Sequence, residues 1–191
     1  MGLPAHVIEN PLSGEVITIH KTAAVTGGAL LGWELLLAPG GRVPSSHAHP
    51  RQEEQFTVVQ GRMRFRIGSR TVTIGPGETV RIPPGAVHHF ANPGPEAALV
   101  AVETRPALEM QALLETAAAL ARDQASAGRS LPRLADLALF MRDFEQEVRA
   151  PYLPAVVRFA ARAIAWLARR NGAGARYHRL RRHTSGERVA S

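Results

Sequence analysis

Histidine and glutamate residues cluster in two short segments of this 191-residue sequence. His47 and His49 form an H-x-H pair, two glutamates follow at positions 53 and 54, and two histidines lie at positions 88 and 89. Alternate residues of an extended strand point to one face, so the imidazoles of His47 and His49 can converge on a single ion. The chemistry that these residues first suggest is metal ligation.

Several other chemistries have no support in the sequence. There is no cysteine, which excludes disulfides, zinc fingers, iron–sulfur clusters and thiol nucleophiles. We find no Ser–His–Asp constellation, and Gly75-Pro76-Gly77 is a turn and not a phosphate-cradling loop.

Glycine, proline and asparagine surround the histidines at regular spacing. The two patterns are Gly41-x5-His47-x-His49-x4-Glu54-x6-Gly61 and Gly77-x5-Pro83-x-Gly85-x2-His88-x3-Asn92, with residues 62–76 between them. Both resemble the motifs of the cupin superfamily, and ten positions agree in type and spacing. The resemblance covers about residues 3–104, and the stretch Thr26-Gly27-Gly28 with the short gap between motifs is similar to the small, quercetin-dioxygenase-like (type-2) cupins.

The resemblance implies a mainly β fold, a double-stranded β-helix or jelly-roll barrel with a metal ion inside. It implies His47, His49, Glu54 and His88 as the ligands, and it leads us to expect a homodimer. Glu53 is a rival to Glu54, although neighbours on a strand point oppositely and only one should bind the ion. His89 should point away from His88, as a surface histidine or one that supports a ligand.

Three neutral imidazoles and one carboxylate suit a divalent transition metal. We expect one ion per chain, with Fe(II) favoured and Mn(II), Ni(II), Co(II) or Zn(II) as alternatives. An octahedral ion would keep about two open positions, as a Lewis acid or a dioxygen-binding centre requires. Glu54 could serve both as ligand and as catalytic base.

Two aromatic residues are expected on the same strand faces as the candidate ligands. Phe56 lies two positions after Glu54, and Phe90 two positions after His88, so both can face inward beside the metal. Other candidates for the pocket lining are Trp33, Met63 and Phe65, with plain core packing as the alternative role. An apolar pocket of this kind suits a small organic ligand.

These observations favour a metal-dependent, dioxygenase-like oxidoreductase that acts on a small organic molecule. The first alternative is a non-catalytic, metal-dependent binding or sensing module. The second is a non-redox isomerase, lyase or cyclase that uses the ion as a Lewis acid, since the fold alone does not decide the function.

The composition divides the chain into three parts. Residues 1–105 contain short apolar runs between turn signals, which predict a barrel with strands near 16–20, 33–37, 55–59, 63–67, 71–74, 79–82 and 98–104. Residues 106–170 are rich in alanine, leucine and arginine and predict a helical extension of three helices. Ser130 is a candidate N-terminal cap of the second helix, and Leu137 and Phe144 recur on one face of that helix. The third helix, residues 155–170, carries arginines on one side and four apolar residues on another: Val156, Ala160, Ile164 and Leu167. Residues 171–191 are predicted to be a basic, flexible tail.

The net charge of +7 comes from the end of the chain. Residues 158–191 contain nine arginines and one glutamate, whereas residues 1–157 contain 14 basic and 15 acidic residues. We interpret this region as a solvated terminus or a weak binder of acidic surfaces, and we expect no sequence-specific binding of nucleic acid. Residues 1–10 show no secretory signal and no apolar run reaches the length of a membrane span, so we expect a cytoplasmic protein.

Overall fold

The computed structural model describes residues 6–43, 45–151, 154–170, 172 and 174–186. Nine strands form in these residues: β1 (His6–Asn10), β2 (Glu15–Lys21), β3 (Leu31–Leu37), β4 (Glu53–Gln60), β5 (Met63–Ile67), β6 (Arg70–Ile74), β7 (Thr79–Ile82), β8 (His88–Ala91) and β9 (Ala98–Arg105). Four helices follow them: α1 (Met110–Ser126), α2 (Leu134–Asp143), α3 (Ala155–Arg170) and α4 (Ala175–Gly186). This order confirms the predicted fold class, a mainly β barrel with an all-α C-terminal extension.

The strands form two antiparallel sheets that enclose one core. The larger sheet has the order β1-β2-β3-β9-β4-β7, and the smaller has the order β6-β5-β8. Phe56 of the larger sheet packs against Phe65 and Phe90 of the smaller one, with ring centroids 5.0 and 5.5 Å apart. The interior between the sheets is therefore apolar and aromatic.

Alternation of side chains explains why these segments are strands. In β5, Met63 and Phe65 are buried whereas Arg64 and Arg66 are exposed, as expected for a strand with one wet face. The strands β1 and β8 are absent from the sequence prediction. Each is short, with a single buried aliphatic residue in β1 and two histidines in the four residues of β8, so neither shows a clear apolar pattern.

The glycine that ends the first motif is required by a close backbone approach. Gly61 has a φ of 78°, and a Cβ at this position would lie 2.8 Å from the carbonyl oxygen of Ala97. A side chain would therefore be strained in conformation and would also clash with the backbone that leads into β9.

The helical extension packs on the barrel and on itself. Helix α1 lies against β1, where the Glu115 carboxylate is 3.1 Å from His6 Nε2 and Arg122 donates to the carbonyl oxygen of Glu9. A second small core joins α2, α3 and α4 through Ala138, Leu139, Ala165, Ala168 and Tyr177. The extension thus has its own packed centre beside the barrel.

Part of the segment predicted as a flexible tail is helical, while residues 171, 173 and 187–191 of that prediction lie outside the described residues. Helix α4 spans Ala175–Gly186, and its Tyr177 is fully buried in the second core. Arg176 pairs with Asp136 at 2.5 Å, and Arg181 pairs with Asp143 at 2.5 Å. Arg176 and Arg181 thus pair with acidic residues of α2, which the basic composition alone did not reveal.

Two helices also bury faces that differ from the prediction. Helix α2 begins after Arg133, so Ser130 is not its cap, and Leu137 is 40 % exposed although Phe144 at the other end is fully buried. In α3 the buried residues are Ala165 and Ala168. None of the helices in the described residues is long and apolar enough to cross a membrane.

Candidate metal centre

His47 and His49 lie in a short extended segment between β3 and β4. This segment is tied to β8 by an isolated bridge, since the His47 N–H donates to the His88 carbonyl at 3.0 Å and the His88 N–H donates to the His47 carbonyl at 2.8 Å. The Gly85 N–H also donates to the carbonyl oxygen of His49. The second motif therefore holds the first one in place through backbone hydrogen bonds.

The carboxylate comes from the larger sheet. Glu54 lies on β4 between Thr104 of β9 and Ile82 of β7. One ligand atom from each of His47, His49, Glu54 and His88 lies within 4.8 Å of the other three. The structure thus brings together the four residues that the sequence singled out, with His47 half-buried and the other three buried.

Each of the three imidazoles uses its Nδ1 on a backbone carbonyl. The Nδ1 of His47 donates to Ser45 at 3.1 Å, and that of His88 donates to Ala86 at 3.0 Å. The Nδ1 of His49 donates to the carbonyl oxygen of Glu147, at 2.5 Å. Because a carbonyl can only accept, these bonds place the proton on Nδ1 and leave each Nε2 with a lone pair.

The Nε2 atoms of His49 and His88 have no hydrogen-bond partner among the described residues, although both are buried. They lie 3.1 and 3.3 Å from Glu54 Oε2, but neither contact has the geometry of a hydrogen bond. Buried polar atoms normally have a partner, so two such nitrogens converging on one carboxylate oxygen fit a site built for a cation.

A chain of hydrogen bonds orients the carboxylate. Trp33 Nε1 donates to Thr104 Oγ1 at 3.2 Å, and Thr104 Oγ1 donates to Glu54 Oε1 at 3.4 Å. All three residues are buried. Oε1 is therefore occupied on the side of β9, and Oε2 is left facing the imidazoles.

The electrostatics of the centre couple the acid to its neighbours. Burial acts to raise the pKa of Glu54, but the neighbouring His49 and His88 outweigh it and hold that pKa well below its usual range. Burial acts to lower the pKa of His49, yet the Glu54 charge and the Glu147 carbonyl together raise it. The pKa of His47 is lowered to about 4 by burial and by the two nearby imidazoles. In the absence of a metal, His49 thus holds a proton more readily than His47 does.

The rival residues lie outside the cluster. Glu53 is half-buried on the opposite face of β4, and the Nδ1 of His89 lies 3.2 Å from Ser46 Oγ. Asn92 is buried, and its Nδ2 lies within hydrogen-bond distance of the carbonyl oxygens of Leu37, Ala38 and Glu96. Asn92 therefore ties together the loop after β3 and the loop before β9, at the opposite end of these strands from Glu54.

The aromatic residues named as pocket-lining candidates all belong to the barrel core. Phe56, Phe65 and Phe90 form a triangle of rings with centroids 5.0 to 6.0 Å apart, and Met63 and Trp33 are buried in the same core. Phe56 and Phe90 follow Glu54 and His88 on the same strand faces, so the floor below the cluster is apolar.

The helical extension also reaches the cluster. We call residues 144–149, which follow α2, the strap. The Ala48 and Arg149 backbones exchange hydrogen bonds of 3.0 and 2.9 Å, and Arg51 donates to Gln146 Oε1 at 2.6 Å. Phe144 and Val148 pack into the barrel core, and the carbonyl of Glu147 is the acceptor for His49. One proposed ligand is thus oriented from outside the barrel.

Sequence reasoning did not identify Thr104 or Glu147 as contributors to the centre. Thr104 lies on a predicted strand, and its alternation relative to Glu103 could have marked it as inward-facing. The contribution of Glu147 comes through its backbone carbonyl, for which no residue type gives a signal.

Comparisons with known proteins agree with this fold. Residues 33–104 match the family model of the cupin domain, so this part of the chain is a cupin domain. A germin-like protein 3-7 of Oryza sativa subsp. japonica is 43% identical over 63 residues, which are 30% of this chain and 27% of that protein. The chain therefore covers 27% of the length of this curated relative.

The chain is also similar to solved structures, at low sequence identity and over about half of its length. An RmlC-like cupin from Shewanella frigidimarina is 18% identical with a TM-score of 0.48, and the match covers 58% of this chain and 91% of that one. A double-stranded β-helix protein from Klebsiella pneumoniae is 20% identical with a TM-score of 0.44, covering 49% and 78%. In both matches, about half of this chain lies outside the shared region.

Proposed function

We propose that this protein is a metal-dependent enzyme of the oxygenase type that acts on a small organic molecule in the apolar interior of the cupin barrel. The observation that carries the proposal is the protonation pattern of the cluster. Three imidazoles direct Nδ1 to backbone carbonyls and keep Nε2 for a common centre that also holds Glu54 Oε2.

The residues present fit one divalent transition ion. His47, His49 and His88 would bind it through Nε2 and Glu54 through its carboxylate, a set that suits Fe(II) best and also Mn(II), Ni(II), Co(II) or Zn(II). When bound, such an ion supplies Lewis acidity, and Fe(II) or Mn(II) can also exchange an electron with dioxygen.

Glu54 is the buried carboxylate that belongs to the cluster. Besides Glu54, the described residues bury carboxylates at positions 15, 115, 136 and 147, and each has a partner away from the cluster. Glu54 is therefore the carboxylate placed to receive a substrate proton. Because Oε1 accepts from Thr104, Oε2 is the atom that would hold this proton, and it could do so only while it does not bind the ion.

The surroundings define the approach and class of the substrate. Phe56, Phe65 and Phe90 are buried below the cluster, so the core side of the site is apolar and suits an apolar molecule. His47 is the half-buried member of the cluster, whereas His49 is covered by the strap. We therefore expect a substrate to enter beside His47.

Reconstitution of the metal-free protein tests the proposal. The protein is loaded with Fe(II), Mn(II), Ni(II), Co(II) or Zn(II) in turn, and dioxygen uptake is measured with aromatic and 1,3-dicarbonyl compounds. We expect uptake with a redox-active ion and none with zinc. Glu54→Gln should abolish it, whereas the matched Glu53→Gln, on the other face of β4, should keep it.

Two outcomes would replace the proposal. Equal turnover with zinc in the absence of dioxygen would indicate a Lewis-acid isomerase, lyase or cyclase. Tight ligand binding without turnover under every condition would indicate a metal-dependent sensing module. The strap favours the sensing module over the Lewis-acid enzyme. The hydrogen bond from His49 Nδ1 to the carbonyl oxygen of Glu147 links the metal centre to the helical extension.

A further inference from the structure

Helix α3 exposes its large apolar residues and buries its small ones. Ala165 and Ala168 face the second core, whereas Phe159 is 75 % exposed and Trp166 is 56 % exposed. Val156 and Leu167 are also exposed. Spacings of three, seven and one residues place Val156, Phe159, Trp166 and Leu167 on one side of the helix, and we call this set the apolar stripe.

All four residues of the apolar stripe are at least half exposed. Single exposed apolar residues are ordinary, but four large ones on one helix face are the mark of a surface that meets an apolar partner. The stripe lies on the side of α3 opposite Ala165 and Ala168, the two residues that face the second core.

The charge beside the stripe indicates what the partner is. Helix α3 carries four arginines, at positions 158, 162, 169 and 170, and no acidic residue. Two nearby carboxylates serve this region: Asp143 contacts Arg169 and Arg181, and Glu145 contacts Arg142 and Arg162. Two acids shared among four arginines leave a net positive surface, before Arg158 and Arg170 are counted.

We propose that α3 is a docking surface for an anionic lipid bilayer and lies flat on it. The apolar stripe would enter the boundary between headgroups and acyl chains, with Trp166 at the polar edge, where the guanidinium of Arg170 lies 4.8 Å from its ring centroid. The arginines would contact lipid phosphates, which guanidinium groups bind in bidentate geometry. The helix is too short and too charged to span the bilayer, which agrees with a position on its surface.

A bilayer accounts for the pattern better than a second copy of the chain does. A two-fold dimer through this face would bring two arginine-rich helices together, and the carboxylates near α3 already have arginine partners. A layer of lipid phosphates offers the missing negative charge over the whole length of the helix.

Vesicle binding by the full chain tests the inference. Co-sedimentation is measured with phosphatidylcholine vesicles with and without phosphatidylglycerol, and Trp fluorescence is recorded in parallel. Trp33 is buried, so a blue shift on binding would report Trp166. We expect binding to the anionic vesicles, at least about tenfold weaker without phosphatidylglycerol and in high salt.

Three variants make the result specific. Phe159→Ser with Leu167→Ser should reduce partitioning by about tenfold or more, and Arg158→Gln with Arg162→Gln should do so on anionic vesicles. Val25→Ser is the matched control, because Val25 is 73 % exposed on the barrel and should not matter. Absence of binding to anionic vesicles, or equal binding by all variants, would overturn the inference. A concentration-dependent dimer without lipid, lost in Phe159→Ser with Leu167→Ser, would instead identify a second copy as the partner.

Discussion

The barrel and helix α3 sort their side chains by opposite rules. In β5 the large residues Met63 and Phe65 point inward and arginines point outward, whereas in α3 alanines point inward and Phe159 and Trp166 point outward. Burial of large apolar side chains drives folding, so the composition of the barrel is explained by the barrel itself. The exposed apolar residues of α3 are not explained by the packing of the described residues, and we therefore assign them to binding.

The largest effect expected concerns the metal centre. Its four polar residues are not part of the apolar core of the barrel. His47→Ala with His49→Ala should abolish stoichiometric metal binding and leave the thermal transition of the metal-free protein close to that of the parent. Metal analysis and calorimetry measure the two quantities. His89→Ala is the control and should retain the metal; full occupancy in the double variant would contradict the ligand assignment.

The next effect tests whether α2 follows the rule of the barrel. Phe144 is fully buried against the barrel core, so Phe144→Asp should lower the free energy of unfolding by more than about 3 kcal/mol. Leu137 is 40 % exposed, so Leu137→Asp should cost less than about 1 kcal/mol. Denaturant unfolding compares them, and equal losses would show that the burial of the two residues does not differ as described.

Alternation along an extended segment accounts only for His47 and His49 sharing a face. The sequence indicated the full set of four clustered residues through the resemblance of its two motifs to those of the cupin superfamily. It could not predict the groups that orient the cluster, since Thr104 is 50 positions from Glu54, and Glu147 is 98 positions from His49. Only the tertiary fold places such groups together.

The helices show a different limit of sequence reasoning. Periodicity indicated that α3 is amphipathic, but both its alanine face and its apolar stripe satisfy a helical repeat, and the packing of α2 decides between them. The basic composition suggested a mobile tail where α4 forms, because the acidic partners of its arginines lie far away in α1 and α2.

The strap connects the helical extension to the barrel, and one of its backbone hydrogen bonds can be removed by substitution. Arg149→Pro removes the N–H that donates to Ala48, whereas Arg149→Ala keeps it. Because the strap supplies the carbonyl that orients His49, we expect metal affinity to fall by about tenfold or more in Arg149→Pro and to stay near the parent value in Arg149→Ala. Competition with a chromophoric chelator measures both. Parent affinity in the proline variant would show that the barrel orients His49 without the extension.

The dependence of metal affinity on pH tests the electrostatics of the centre. The metal and a proton compete for each Nε2, and the pKa of His49 is raised above the ordinary histidine value whereas that of His47 is lowered to about 4. We therefore expect affinity to fall from near neutrality downward, by about tenfold per pH unit for protonation of His49, and more steeply near pH 4 when His47 joins. A chelator titration that stays flat between neutrality and pH 5 would contradict the raised pKa of His49.

The smallest effect expected returns to the opposite rules of the barrel and α3. If the alanine face of α3 is the packed one, Ala165→Leu should cost about 1–3 kcal/mol by overpacking the second core against Leu139 and Tyr177. Phe159→Ser should change the free energy of unfolding by no more than about 0.5 kcal/mol, because that side chain is exposed in the folded protein. Denaturant unfolding without lipid measures both, with Val25→Ser as the exposed control. A large loss in Phe159→Ser would mean that a partner covers this face in solution, and the contrast between the two regions would then disappear.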